Sequence, residues 1–289
     1  MTRSPESSTA RRTLGRPASL AVLLAGVGLV LATISPSQGL TAPERQSGSA
    51  KPTIVLVHGA WADASSWSQV VTRLQNEGYQ VYAIANPLES LAGDAASVRA
   101  FLETVKGPVV LVGHSYGGMV ITNAATGVPN VKALVYVNAF APDEGESAIQ
   151  LAGPDSALTV TDPTTVFDFV PAGPPTPNTE LYLKRSVVFD SFATGLSSRD
   201  KAVVAASQRP ATLGALSEPS GTPAWRTIPS WYLIGTNDRI IPPGAELTMA
   251  ERAGATVTEY DGGHLGLISE PKTVTQEIER AAKAVVQVH

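Results

Sequence analysis

The chain has 289 residues, enough for one large α/β domain behind a leader. At 43% hydrophobic and 16% charged it can bury a sizeable core, and a net charge of −4 without a basic run beyond the N-terminus argues against nucleic acid as a partner. It contains no cysteine, which excludes disulfides, thiolate metal ligands and a thiol nucleophile.

Residues 1–42 read as an export signal. Arg11, Arg12 and Arg16 form a basic n-region, and the apolar run from Ser19 to Ile34 is short for a spanning helix, which needs about 20 residues, and suits an h-region. The Arg11-Arg12 pair raises the twin-arginine route. The expected product is secreted or periplasmic and, once the leader is removed, has no stable membrane partner. The alternative is an uncleaved N-terminal helix that tethers the chain to a membrane. The Ser-, Gly- and Pro-containing stretch up to Pro52 reads as flexible, which leaves residues 43–52 as a linker and 53–289 as the folded domain.

Thr53–Val57 is a short apolar run of the kind buried on both faces of a parallel sheet, and it leads into His58-Gly59-Ala60-Trp61. A helix is expected over about 65–77, with Trp67, Val70, Val71 and Leu74 on one face and Gly78 as its stop. Tyr79–Ile84 follows as a strand. Asp94 is expected to cap a helix running to about Val105. Val109–Val112 is the next strand, a helix is expected over 117–125, and Val131–Val137 is a further strand ending at Asn138-Ala139-Phe140. The alternation breaks over 141–226. There the Pro-rich turn 171–177 separates short patches read as helical, 180–188 and 199–208, and a long insertion in a compact domain reads as a lid. Strand Ser230–Gly235, a helix over 244–253, strand Thr256–Tyr260 and a last helix over about 272–288 complete the domain. Strands alternating with helices predict a mostly parallel six-stranded sheet with helices on both faces, its chemistry gathered beyond the carboxyl ends of the strands.

Between the strand at 109–112 and the helix after it stands Gly113-His114-Ser115-Tyr116-Gly117. In a Gly-x-Ser-x-Gly turn the strand passes directly into a helix, the central residue is strained, and its neighbours have no room for a Cβ. The hydroxyl of Ser115 is thereby presented above the sheet as a candidate nucleophile. It needs a base and an orienting carboxylate. Of the four histidines, His289 is terminal, while His58 and His114 sit within strand-end turns and are better suited to bracing loop backbone. His264, in the glycine-rich Asp261–Gly266 loop after the last strand, is the candidate base. Asp238, after strand Ser230–Gly235, is the candidate carboxylate; an Asx-turn ahead of Pro242 is its structural alternative, and Asp261 is a rival. The backbone N–H groups of Ala60 and Tyr116 are the expected oxyanion donors. Trp61, Tyr116, Met119 and Phe140, with the lid, are expected to line an apolar acyl pocket.

With the His58–Trp61 stretch, the Gly-His-Ser-Tyr-Gly-Gly turn and Gly-Thr-Asn-Asp-Arg-Ile-Ile-Pro-Pro (235–243) in view, residues 52–288 resemble the α/β-hydrolase superfamily, and more narrowly compact bacterial esterases related to plant methylesterases and hydroxynitrile lyases. The resemblance implies an α/β-hydrolase fold and hydrolysis of a small-molecule carboxylic ester through an acyl-enzyme, with neither cofactor nor metal. A hydroxynitrile lyase usually carries Thr after the first-strand His and Lys after the catalytic His. Here these positions are Gly59 and Leu265, which favours ester hydrolysis. A perhydrolase or haloperoxidase activity on the same triad and a non-catalytic ligand-binding pseudo-hydrolase are the other readings.

Overall fold

The computed structural model describes residues 51–287; the expected signal 1–42 and all of the linker except Lys51 and Pro52 lie outside the described residues. Strand β1 (Thr53–Val57) is buried at every position, so its apolar run needs no alternation. A single 3₁₀ turn, capped by Asp63 accepting from the Ser65 N–H, leads into α1 (Ser68–Asn76), which buries Val70 and Leu74. Strand β2 (Val81–Ile84) is shorter than the expected 79–84.

Helix α2 (Leu91–Thr104) starts earlier than expected, because Ser90 is its N-cap and accepts from the Gly93 N–H. Asp94 is therefore not the cap. It falls in the first turn, faces inward and is fully buried, where its Oδ2 accepts the Tyr116 hydroxyl proton at 2.8 Å. Strand β3 (Val109–Ser115) reaches the serine itself, and α3 (Tyr116–Ala124) begins at the next residue. Strand β4 (Val131–Ala139) is also longer than expected.

Residues 141–226 contain α4 (Ala148–Ala152), β5 (Phe167–Val170), β6 (Glu180–Leu183), α5 (Arg185–Val187), a π-turn at Val188–Phe192, α6 (Ser198–Ala206), β7 (Ala211–Thr212) and α7 (Leu213–Ser217). Arg199–Gln208 is helical nearly as expected. Glu180–Leu183 is not. It is the middle strand of an antiparallel three-stranded sheet in the order β5-β6-β7, with Phe167 opposite Leu183 and Phe169 opposite Leu181. Leu181 and Leu183 alternate with the less buried Glu180 and Tyr182, a period of two that a helix cannot use.

Strand β8 (Ser230–Gly235), α8 (Pro243–Arg252), β9 (Thr256–Tyr260), the short α9 (Gly266–Ser269) and α10 (Pro271–Gln287) return the chain to the main sheet. That sheet is six-stranded and parallel throughout, in the order β2-β1-β3-β4-β8-β9. Helix α3 packs with α2 and against β3, whereas α10 packs with α1 and against β4 and β8, so the sheet is covered by two separate helical layers. Strand β3 has a parallel neighbour on each side, and its carboxyl end is accordingly held from both. Among the described residues no helix is long and apolar enough to cross a membrane.

Candidate active site

The β3–α3 turn forces Ser115 to φ 55° and ψ −126°, a left-handed conformation that L-residues rarely adopt. The turn closes because Gly117 lacks a side chain: a Cβ there would lie 2.5 Å from the Val57 carbonyl oxygen. Gly59 has the same role from the other direction. A Cβ at that position would meet the Ser115 Cβ at 2.6 Å and its Oγ at 3.1 Å, so only glycine lets the loop after β1 approach the hydroxyl so closely.

Ser115, His264 and Asp238, far apart in the chain, converge in a buried cluster. The His264 Nε2 lies 2.9 Å from the Ser115 Oγ, and its Nδ1 lies 2.7 Å from the Asp238 Oδ2. With the Nδ1–H donated to the carboxylate, Nε2 is left free to accept the serine proton. Asp238 also makes the Asx-turn that was its alternative role, its Oδ1 accepting the N–H groups of Ile240 at 2.7 Å and Ile241 at 3.0 Å. Turn formation and orientation of His264 thus use different oxygens of one carboxylate. The rival Asp261 is exposed and accepts from the Asn237 side chain instead.

The other two histidines of the fold brace backbone. His114 donates its Nε2–H to the carbonyl oxygen of His264 at 2.9 Å, anchoring the loop that carries the candidate base. Burial, reinforced by the neighbouring His264, pushes its pKa well below the ordinary imidazole range, so it is neutral. His58 accepts the Asn86 N–H on Nε2 and donates Nδ1–H to the Gly59 carbonyl, each at 2.9 Å, and burial lowers its pKa too.

Sequence reasoning assigned no role to Asn138, although it is the penultimate residue of β4. Its backbone is left-handed (φ 44°), its amide donates to the Asp238 Oδ2 at 3.3 Å, and its Oδ1 accepts the Tyr260 hydroxyl proton at 2.6 Å. An asparagine placed at the carboxyl end of a central strand, beside the candidate triad, was the available signal; its partner Tyr260 had none.

In front of Ser115 lies a cavity of about 360 Å³. Ala60, Trp61, Tyr116 and Phe140 form its floor, and Phe167, Phe169, Leu181, Leu213 and Leu216 wall it from the inserted segment. Its lining includes no charged residue. Trp61 is held by its indole N–H, which donates to the Leu181 carbonyl at 2.7 Å, and by stacking on Phe167. Met119 is not part of the lining. It lies one turn further along α3 and is sealed into the core. Ala60 and Tyr116 both border the cavity beside Ser115. The Tyr116 N–H belongs to the first turn of α3, where amides have no partner within the helix. The N–H of Trp61 is committed to the Arg209 carbonyl at 3.0 Å and is not available to a ligand.

Comparison with known proteins agrees with this architecture. The sequence profile of the alpha/beta hydrolase family matches residues 54–277. The alpha/beta hydrolase nvfD of Aspergillus novofumigatus is 26% identical over 259 residues, covering 82% of this chain and 99% of its own. The carbendazim hydrolyzing esterase of Nocardioides sp. is 34% identical over 110 residues, 34% of this chain and 46% of that protein. Among solved structures, an extracellular alpha/beta-hydrolase from a Paenibacillus species superposes with a TM-score of 0.67 at 25% identity, covering 80% of this chain and 98% of that one; it is described as sharing structural and functional homology with tobacco Salicylic Acid Binding Protein 2.

Proposed function

Because this chain belongs to the alpha/beta hydrolase family, we propose that it is a serine esterase acting on uncharged carboxylic esters through an acyl-enzyme. Ser115 attacks the ester carbonyl carbon while His264 takes its hydroxyl proton, and the Asp238 carboxylate steadies the imidazolium that forms. The carbonyl oxygen, now negative, is met by the N–H groups of Ala60 and Tyr116, each such donor stabilising the transition state by about 3 kcal/mol. The tetrahedral intermediate collapses, the leaving alkoxide takes the proton from His264, and the acyl group stays on Ser115. A water then gives a proton to His264 and attacks the acyl carbon, releasing the carboxylic acid and restoring the serine.

The observation that carries this reading is the buried relay of 2.9 Å from Ser115 to His264 and 2.7 Å from His264 to Asp238, opening onto an apolar cavity. That lining suits an apolar acyl or alcohol group and would leave a charged one desolvated without a partner. Gly59 weighs against the lyase alternative, since the threonine that lyases carry there would bring a Cβ within 2.6 Å of the Ser115 Cβ unless the loop moved.

Nitrophenyl esters of uncharged acids provide the test. Wild-type protein is expected to turn them over and to be labelled by a fluorophosphonate, whereas Ser115→Ala loses the label and about a millionfold in kcat. Turnover by Ser115→Ala at the wild-type rate would sink the proposal. Residues 1–42 are proposed, on their basic and apolar pattern alone, to direct export. Recovering the protein only inside the cell, still beginning at Met1, would overturn that part.

A further inference from the structure

Helix α8 follows the Asp238 turn and sends one acidic side chain, Glu246, entirely into the protein. Neither of its carboxyl oxygens makes a hydrogen bond of normal geometry, although Asp238 and Asn138 stand close enough to interact with them. The groups around it come from every element packed against α8. Asp238 and Asn138 face it directly. Tyr232 of β8 and Tyr260 of β9 lie close by, but their hydroxyls are committed to the Ala139 carbonyl and to the Asn138 Oδ1. Arg252, on the same helix, is turned away and paired with Glu146 at 2.6 and 2.7 Å.

Two buried carboxyl groups with no cation between them do not both ionise, because each charge is desolvated and repels the other. Asp238 receives the His264 Nδ1–H, the Ile240 and Ile241 amides and the Asn138 amide. Glu246 has nothing comparable. Burial first, and then the Asp238 charge, push its pKa well above the usual carboxyl range. A leucine of similar volume would avoid the cost of burying an unpaired polar group, so the acid stands where an apolar residue would be the more stable choice.

We propose that Glu246 is a positioning residue of this site, an uncharged carboxylic acid behind Asp238 that holds the Asp238–Asn138 pair in the orientation His264 requires. The proposal rests on the esterase reading above. Its acid O–H faces Asp238 and its carbonyl oxygen faces Asn138, so small side-chain rotations close both hydrogen bonds and hold the pair in place.

The test compares Glu246→Gln with Glu246→Leu. Glutamine keeps an uncharged donor and acceptor in place, so kcat stays within about threefold of wild type and the acid limb of the kcat/KM profile does not move. Leucine keeps the volume and loses the polar atoms, so Tm is equal or higher while kcat falls about tenfold at unchanged KM. A stability measurement independent of catalysis accompanies this. A carboxyl whose folded pKa is raised above its ordinary value of 4.5 binds its proton in the fold after the unfolded chain has released it. Stability therefore falls as pH rises from the unfolded value toward the folded one, and wild type loses ground to Glu246→Gln across that window.

Unchanged kcat in Glu246→Leu, or a fall in Tm that parallels the fall in kcat, overturns the proposal. So does a Glu246→Gln protein whose acid limb shifts or whose stability gap is flat with pH, since either means that Glu246 carries a charge. Should the leucine protein not fold, Glu246→Met offers the same contrast with a more adaptable side chain. Ser115→Ala measured alongside separates the claims. An active Ser115→Ala ends the esterase reading and this proposal with it, whereas an inactive one beside an unaffected Glu246→Leu ends only the positioning role.

Discussion

Strands β1 and β3 of the large sheet are buried at every residue, whereas β5 of the inserted segment alternates half-buried with exposed positions. The contrast runs through both regions. In the sheet, Ser115 is held by parallel neighbours on each side and by close contacts that leave no room for a Cβ at Gly59 or Gly117. In the insert, the elements are short, several are joined by Pro- and Gly-rich turns, and the ion pair from Lys184, just after β6, to Asp168 of β5 is partly exposed, where such pairs add little. Ile149 and Val160, both exposed apolar residues, border the cavity from the same segment. The lesson is a division of labour. On the proposed function, the sheet sets the geometry of the reacting groups, and the insert sets what fits against them.

That division can be broken by substitution, and the largest expected effect is in the sheet. Asp238→Asn keeps the shape but lets the amide disfavour the His264 tautomer that accepts the serine proton, so kcat should fall about ten-thousandfold with KM little changed. Steady-state kinetics on one nitrophenyl ester suffices, and a loss under tenfold would remove Asp238 from the relay. A middle-sized effect is expected at Gly59→Ala. Its Cβ must push Ser115 or the His114 carbonyl away, and displacing the nucleophile by a fraction of an ångström to an ångström costs about a hundredfold in kcat. Full activity in that variant would show that the loop after β1 relaxes freely around the added atom.

The smallest effect belongs to the insert. Phe169→Ala enlarges the cavity wall without touching Ser115, His264 or Asp238, and should raise the preference for longer over shorter acyl groups by about tenfold while leaving kcat on the shortest ester near wild type. Ratios of kcat/KM across esters of graded acyl length measure it. A uniform fall in kcat for every ester would mean that the insert also takes part in placing the reacting groups, and the two regions would no longer be separable.

The inner strands β1, β3, β4 and β8 were nameable in the amino-acid order because a strand covered on both faces is a nearly continuous apolar run, which reads locally, whereas the edge strands β2 and β9 are only partly buried. The Ser115 turn was legible for a related reason: its demand for Gly113 and Gly117 comes from backbone atoms only a few residues away or on the next strand. Asp238 and His264, which the fold brings to Ser115, were singled out by their place just after strand ends. Other features depend on partners distant in the chain. Glu180–Leu183 is a strand because β5 pairs with it, and four residues beside a Pro-rich turn do not announce that pairing. Asp94 looks like a helix cap until Ser90 takes that position and Tyr116 meets the carboxylate from another helix. Met119 differs from a cavity residue only by the direction in which α3 turns it. Glu246 carried no signal in the sequence, and only the fold buries it against Asp238. Local order thus determined the strands and the nucleophile turn, since those rest on backbone sterics and apolar patterning between near neighbours. Which polar side chains share one buried volume was decided by tertiary structure alone, because desolvation and charge repulsion are set by what the fold brings together.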